Sequence, residues 1–202
     1  MLAADRLSAA KLRAGLGHCA IGREIIVLDE TTSTNDVVLQ MANGGASDGL
    51  VVFAEHQTAG RGQRGNVWES SAGKGLLCSI LLRPNIAVQD SARLVEWATK
   101  GVAWTIEGAC LCKATIKPPN DIYIDGRKVA GVLVEMRAQP DASHLAVVGI
   151  GVNVNQTPSH FAEQLREHAT SLAIVFGGPL ERNTLAIALL RNLDQLYREG
   201  FL

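Results

Sequence analysis

QTAGRGQRGNVWESSAGKG, from Gln57 to Gly75, is the stretch around which the rest of the chain can be read. In it Gly60, Gly62 and Gly65 alternate with Arg61 and Arg64. Glycine permits positive φ and close approach of backbone to a ligand, and arginine offers a planar fork that matches phosphate or carboxylate. The spacing predicts a loop that holds an anion. GRGQRG satisfies the dinucleotide fingerprint literally, but that fingerprint opens a helix, and the two serines and two glycines between Asn66 and Gly75 do not start one. A Walker A loop needs Gly-Lys-Ser/Thr, whereas Gly73-Lys74 is followed by Gly75. A kinase loop needs HRD and DFG downstream, and the sequence has neither. Taken alone, such a tract is more commonly a surface loop with solvated arginines.

Its flanks change that reading. Gly49 to His56, GLVVFAEH, and Leu76 to Leu82 read as buried strands, the second ended by Pro84. A connection of about 20 residues between two core strands is longer than usual and fits a functional lid. Further out, EIIVLDE (Glu24 to Glu30) is a β-rich run. TTSTND then places Ser33 and Thr34 before an amphipathic segment from Asn35 to Met41 that ends at Gly44-Gly45. Helix capping is sufficient to explain those hydroxyls. Leu7 to Leu16 has helical spacing and stops at Gly17.

Downstream, Asp90 to Ala109 predicts a long helix that packs on one sheet face through Ala92, Val95, Ala98, Val102 and Ile106, with Trp97 and Trp104 as core or interface. In KATIKPPNDIYIDGRKVAGVLVEM (Lys113 to Met136), Asp125-Gly126 signals a hairpin that leads into the apolar run Val129 to Val134. Lys117 and Lys128 flank it, each either snorkelling to water or held for an anion. HLAVVGIGVN predicts a buried strand with Gly149 and Gly151 on one face, leaving room for something to lie there. Thr157 to Ala169 reads as a short helix or loop, and Glu181 to Glu199 as an amphipathic helix carrying Leu185, Leu189, Leu193 and Leu196.

The 202 residues, 47% apolar and 19% charged, suffice for one globular domain with a sizeable core. A net charge of −1 gives no general attraction to nucleic acid or an anionic membrane, so any basic site is local. Cys19, Cys78, Cys110 and Cys112 show no C-x-x-C spacing, and no leader pattern precedes them. The expectation is a reducing, cytoplasmic setting with buried thiols. No apolar run approaches the roughly 20 residues of a membrane span.

Four segments in order, TTSTND, QTAGRGQRGNVW, KPPNDIYIDGRKVAGVLVE and GIGVNVN, resemble the catalytic domain of biotin protein ligases. The resemblance runs from about Glu30 to Asn155 and continues weakly through Ala169-Thr170-Ser171-Leu172 to the terminal helix. It implies an α+β fold, a mixed β-sheet with helices packed on one face, related to the class II aminoacyl-tRNA synthetase core. It also implies ATP-dependent formation of biotinyl-5′-AMP with Mg²⁺, then transfer of the biotinyl group to a lysine of a biotin carboxyl carrier domain of a carboxylase. The expected organisation is a single catalytic domain over residues 1–202, with neither an N-terminal DNA-binding domain nor a C-terminal small β-barrel. Nucleic acid and membrane are not expected partners, and a homodimer is allowed.

By the same resemblance, Lys128, Arg61 and Lys117 are the catalytic cations. Ser33, Thr34, Asn35, Gln57, Gly60 and Arg61 bind biotin, with Gly131, Gly149 and Gly151 as floor. Arg64, Trp68, Lys117, Asn120, Lys128 and Asn153 meet ATP or the adenylate, and Asp121 helps hold Mg²⁺. Cations suit this chemistry independently, because adenylation forces a carboxylate against a triphosphate. Two positions depart from the family pattern. Pro118 stands where the family usually carries tryptophan, and Gln63 where some members carry an arginine that helps retain the intermediate. The rival readings are a lipoate or octanoate ligase or transferase of the same superfold, with Cys112 the available nucleophile, and a non-catalytic biotin-binding module. His56 and His144 read as structural.

Overall fold

The apolar runs of the chain become seven strands of one sheet in a computed structural model that describes residues 5–139 and 144–201. These are β1 (Glu24–Thr31), β2 (Leu50–Gln57), β3 (Gly75–Leu82), β4 (Thr115–Lys117), β5 (Asp121–Ile124), β6 (Arg127–Arg137) and β7 (Leu145–Asn153). Their order is β1-β2-β3-β7-β6-β5-β4; β1 and β2 are parallel and every other pair is antiparallel. The sheet is mixed, as expected. The Asp125-Gly126 turn closes the β5–β6 hairpin with both residues left-handed, φ 49° and 75°, which is why the second position is glycine.

Among the described residues five α-helices accompany the sheet: α1 (Ala9–Leu16), α2 (Thr34–Asn43), α3 (Ala92–Cys110), α4 (Leu172–Phe176) and α5 (Arg182–Phe201). The main core unites Leu12 and Leu16 of α1, Leu94, Val102 and Ile106 of α3 and Leu185, Leu189 and Leu193 of α5 with Phe53, Ile80, Val132 and Ile150 of the sheet. Helices α1, α3 and α5 thus share one face. Helix α2 departs from that one-sided arrangement: its Val38 packs with Leu50, Val52, Leu81, Leu145 and Val147 on the opposite face. Strand β3 is buried along its whole length because it lies between the two layers.

The buried side of α3 is turned relative to the expected one. Leu94 and Trp97 enter the core, whereas Ala92 is exposed and Val95 half-buried. The larger side chains bury more apolar area. Thr99 and Thr105 can join them because their hydroxyls donate to the Val95 and Gly101 carbonyls one turn back, at 2.8 and 2.7 Å. Trp97 Nε1 donates to Leu193 O at 3.1 Å, and Trp104 stands largely exposed.

The loop between β2 and β3 is fastened at both ends. Thr58 N and Ala59 N donate to Thr31 O and Thr32 O, and at the other end Gly73 N donates to Glu55 O while Lys74 O accepts from Asn155 N. Beneath it lies Arg182, fully buried, which pairs with Glu55 at 2.7 Å and Asp5 at 3.2 Å and donates to Gly75 O at 3.1 Å. A buried guanidinium is tolerable only with that full set of acceptors.

Cys78 and Cys110 are buried, and burial pushes their thiols up to about 12 and about 11. Cys19 and Cys112 are only half-buried, a departure from the expectation for all four; both lie in the connections that follow α1 and α3. Among the described residues no helix is long and apolar enough to cross a membrane.

Candidate active site

Helix α2 covers only part of its sheet face. Beside it the register places Asp121 opposite Gly131, Gly131 opposite Gly151 and Gly151 opposite Leu77, with Leu133, Gly149 and Ser79 aligned one step along. Directly opposed residues point to one face, so Gly131, Gly149 and Gly151 form a bare patch there. Their lack of side chains is used. A Cβ on Gly149 would collide with Asn35 Oδ1, and one on Gly151 would lie 2.5 Å from Trp68 Cε2. A cavity of about 250 Å³ opens over this patch.

One wall is the start of α2. Ser33 holds the N-cap position, yet its hydroxyl makes no capping bond, so capping does not explain it. Gln57 Oε1 accepts from Thr34 N at 2.7 Å and from the Thr34 hydroxyl at 2.9 Å. The Ser79 hydroxyl has two acceptors within reach, Thr34 Oγ1 at 2.7 Å and Asn35 Oδ1 at 2.5 Å. Asn35 Nδ2 donates to Glu135 Oε2 at 2.5 Å. With Gln57 Oε1 filled and the Thr34 proton spent, Gln57 Nε2 remains a donor and Thr34 Oγ1 an acceptor. This wall therefore offers matched neutral donors and acceptors rather than charge.

The glycine loop roofs the cavity. Trp68 N donates to Gly60 O at 2.9 Å, Gly62 N to Asn66 O at 2.7 Å, and Arg61 bridges Val67, so the loop is a small hairpin. Its tip turns at Arg64 and Gly65, both left-handed, φ 58° and 79°. Arg61 reaches Asp36 at 2.7 Å and Glu135 at 3.2 Å. The hydrogen bond that Arg61 donates to Asp36 is the main cause of its raised pKa. Arg61, expected as a catalytic cation, is thus paired with two carboxylates.

The hairpin brings the other cation. Lys128 Nζ lies 2.7 Å from Asp121 Oδ1 and 5.5 Å from the centre of a Trp68 ring. Its backbone is bonded to a second segment, Lys128 N to His168 O and Thr170 N to Lys128 O, each at 2.8 Å. Val67, Trp68, Asp121 and Lys128 also border a second cavity of about 450 Å³, lined further by Ser70, Tyr123, Asn153, Gln156, His160 and Phe161. Trp68 Nε1, Ser70 Oγ and Gln156 Oε1 on that side are buried with no protein partner among the described residues. Such groups call for a polar occupant.

Of the expected residues, Ser33, Thr34, Asn35, Gln57, Arg61, Arg64, Trp68, Lys117, Asn120, Asp121, Lys128 and the three floor glycines line the first cavity. Gly60 does not; it is buried behind it, where a Cβ would meet Trp68 O at 2.5 Å. Asn153 lines only the second cavity, and its amide is engaged with Thr170 O and Gln156 Nε2. Asn120 Nδ2 is spent on Val132 O at 2.9 Å, a bond that splices the backbone before β5 to β6. Lys117 Nζ rests 5.1 Å from the Tyr123 ring centre. Asp121 stands alone as a metal ligand: no group of three His, Cys, Asp or Glu gathers among the described residues. His56 pairs with Glu30 at 2.9 Å, and neither it, His144 nor Cys112 borders these cavities. Asp36, Ser79 and Glu135 escaped the sequence reading, since each acts through a partner distant in the chain.

A match to the Biotin/lipoate A/B protein ligase family covers residues 27–153. The chain is 38% identical over 194 residues to the bifunctional ligase/repressor BirA of Bacillus subtilis, covering 96% of this chain and 60% of that protein. To the biotin–[acetyl-CoA-carboxylase] ligase of Mycobacterium tuberculosis it is 33% identical over 180 residues, covering 85% of this chain and 63% of that protein. It thus spans about six-tenths of the length of these relatives. The Aquifex aeolicus biotin protein ligase, solved in complex with biotin and ATP, superposes with a TM-score of 0.75 at 29% identity, covering 89% of this chain and 73% of that one.

Proposed function

The chain belongs to the biotin/lipoate A/B protein ligase family, and from that premise we propose that it activates biotin with ATP and passes the biotinyl group to a lysine of a biotin carboxyl carrier domain. The observation that carries the reading is one glycine-floored cavity that joins a neutral donor–acceptor set, Gln57 and Thr34, to the ammonium of Lys128 at the border of a second cavity. A ureido ring presents one carbonyl acceptor and two N–H donors. Gln57 Nε2 suits the first and Thr34 Oγ1 the second, with the Ser33 hydroxyl beside them. The apolar ring of a lipoyl group would leave these groups unpaired, which disfavours the lipoate alternative. Cys112, whose thiol is raised first by burial, lies away from the cavities and does not suit octanoyl transfer.

In the first step an oxygen of the biotin carboxylate bonds to the α-phosphorus of ATP while the bond to the bridging oxygen breaks and pyrophosphate leaves. Lys128 meets both anions at the border between the cavities, with Lys117 and Arg64 beside the phosphates. Approach of the phosphate competes with Asp121 for the Lys128 ammonium. In the second step the carrier lysine amine attacks the acyl carbon, the bond to the phosphate oxygen breaks, AMP leaves and the amine gives up a proton. Trp68 and the polar groups of the second cavity suit the adenosine. Asp121 is the residue that would help hold a Mg²⁺, which would neutralise phosphate charge. Arg61 serves as a strut between loop and cavity rim rather than a free cation. Enclosure by the loop protects the mixed anhydride from water.

The test is to mix the protein with ATP, Mg²⁺, labelled biotin and a carrier domain. Label is expected on the carrier lysine, with biotin-dependent pyrophosphate exchange. Binding of biotin without exchange would replace this reading with that of a non-catalytic binding module.

A further inference from the structure

We infer that Glu135 is a positioning residue that links ring recognition to loop closure, because its single carboxylate orients the Asn35 amide of the pocket and holds the Arg61 guanidinium of the loop. The inference rests on the biotin reading above. Glu135 Oε2 lies 2.5 Å from Asn35 Nδ2 and 3.2 Å from Arg61 Nη2, so one oxygen serves both.

An asparagine amide can be turned over, exchanging its oxygen and nitrogen. A carboxylate accepts only, so Glu135 forces Nδ2 toward itself and Oδ1 toward Ser79. That orientation makes Ser79 the donor in its contact with Asn35, while the Gln57 amide is oriented separately by the Thr34 N–H that donates to its Oε1. The polarity from Glu135 through Asn35 to Ser79 thus follows from one charge at its end. Turned over, Asn35 would set its oxygen against the carboxylate. Asp36 is a built-in control, since it pairs with Arg61 but not with Asn35. Glu135 is 44% exposed, so its truncation removes these contacts without opening the core.

Biotin-dependent pyrophosphate exchange is measured with biotin and ATP varied separately, alongside proteolysis of the 58–74 loop. Glu135→Ala should raise the biotin KM by about 10-fold or more, the worth of a charge-assisted hydrogen bond. Its ATP KM and melting temperature should stay near native, and its loop should be cut faster with biotin present. Glu135→Gln keeps an oxygen for Asn35 and should recover most of the biotin KM while the loop stays easily cut. Asp36→Asn should loosen the loop and move the biotin KM by less than about 3-fold. A near-native biotin KM in Glu135→Ala overturns the inference. So does a parallel rise in both KM values with a lowered melting temperature, or failure of Glu135→Gln to recover. Absence of exchange in the native protein refutes the biotin reading itself, and the inference falls with it.

Discussion

The β5–β6 hairpin and the loop between β2 and β3 both bring positive charge to one cavity, and they hold it by opposite means. Lys128 sits on a strand whose backbone pairs with β5 on one side and with His168 and Thr170 on the other. Arg61 sits on a loop held over the cavity by two ion pairs of partly exposed side chains. Backbone ladders position a group firmly, whereas exposed ion pairs are worth little and are screened by salt. The hairpin is thus built to aim a charge and the loop to move one.

The hardest blow to this contrast would be a catalytic loss on removing Arg61 as large as that on removing Lys128. Lys128→Ala is expected to lower kcat/KM for adenylation by about 10³-fold, the scale of losing a charge-stabilising group at a transition state, about 4 kcal/mol. Stability comes next. Arg182→Met leaves Glu55 buried beneath the loop without its partner and should cost about 3–5 kcal/mol in denaturant unfolding. A change near zero would mean that the loop is not anchored there. Gly149→Ala forces the Asn35 amide aside and should cost about 1–3 kcal/mol, read as a lower melting temperature together with weakened biotin binding. Smallest is Asp36→Asn, which should cost less than about 1 kcal/mol and loosen the loop to a degree that high salt reproduces in the native protein.

Much of the fold was legible because its signals are local. Asp125-Gly126 announced the hairpin, and the alternation of Gly149 and Gly151 announced a bare face before any partner strand was known. Helix α2 was harder to place, since Val37, Val38 and Leu39 in succession do not single out one side of a sheet. The side of α3 was obscured by Thr99 and Thr105, polar residues whose burial depends on carbonyls of their own helix. The site was legible where a residue type is rare in its surroundings, as with Lys128 beside an apolar strand. Ser79 was hidden within the apolar run of β3, and its role depends on Thr34 and Asn35, more than 40 residues away. The same separation concealed Glu135, which reaches Arg61 across 74 positions. The partners of Arg61 were hidden for the same reason: its two acids lie on α2 and β6.

The fastening of the glycine loop at both ends limits how it can open. With Thr58 and Ala59 bonded to the end of β1 and the residue beyond it, and Gly73 and Lys74 bonded to β2 and Asn155, neither end is free to serve as a hinge for a swinging door. Residues 60–72 instead form an arch on two abutments, held down by the Arg61 ion pairs to Asp36 and Glu135, and it rises when those pairs part. Room for a ligand is then made from the crown downward, so an arriving molecule enters beneath the arch rather than around its edge.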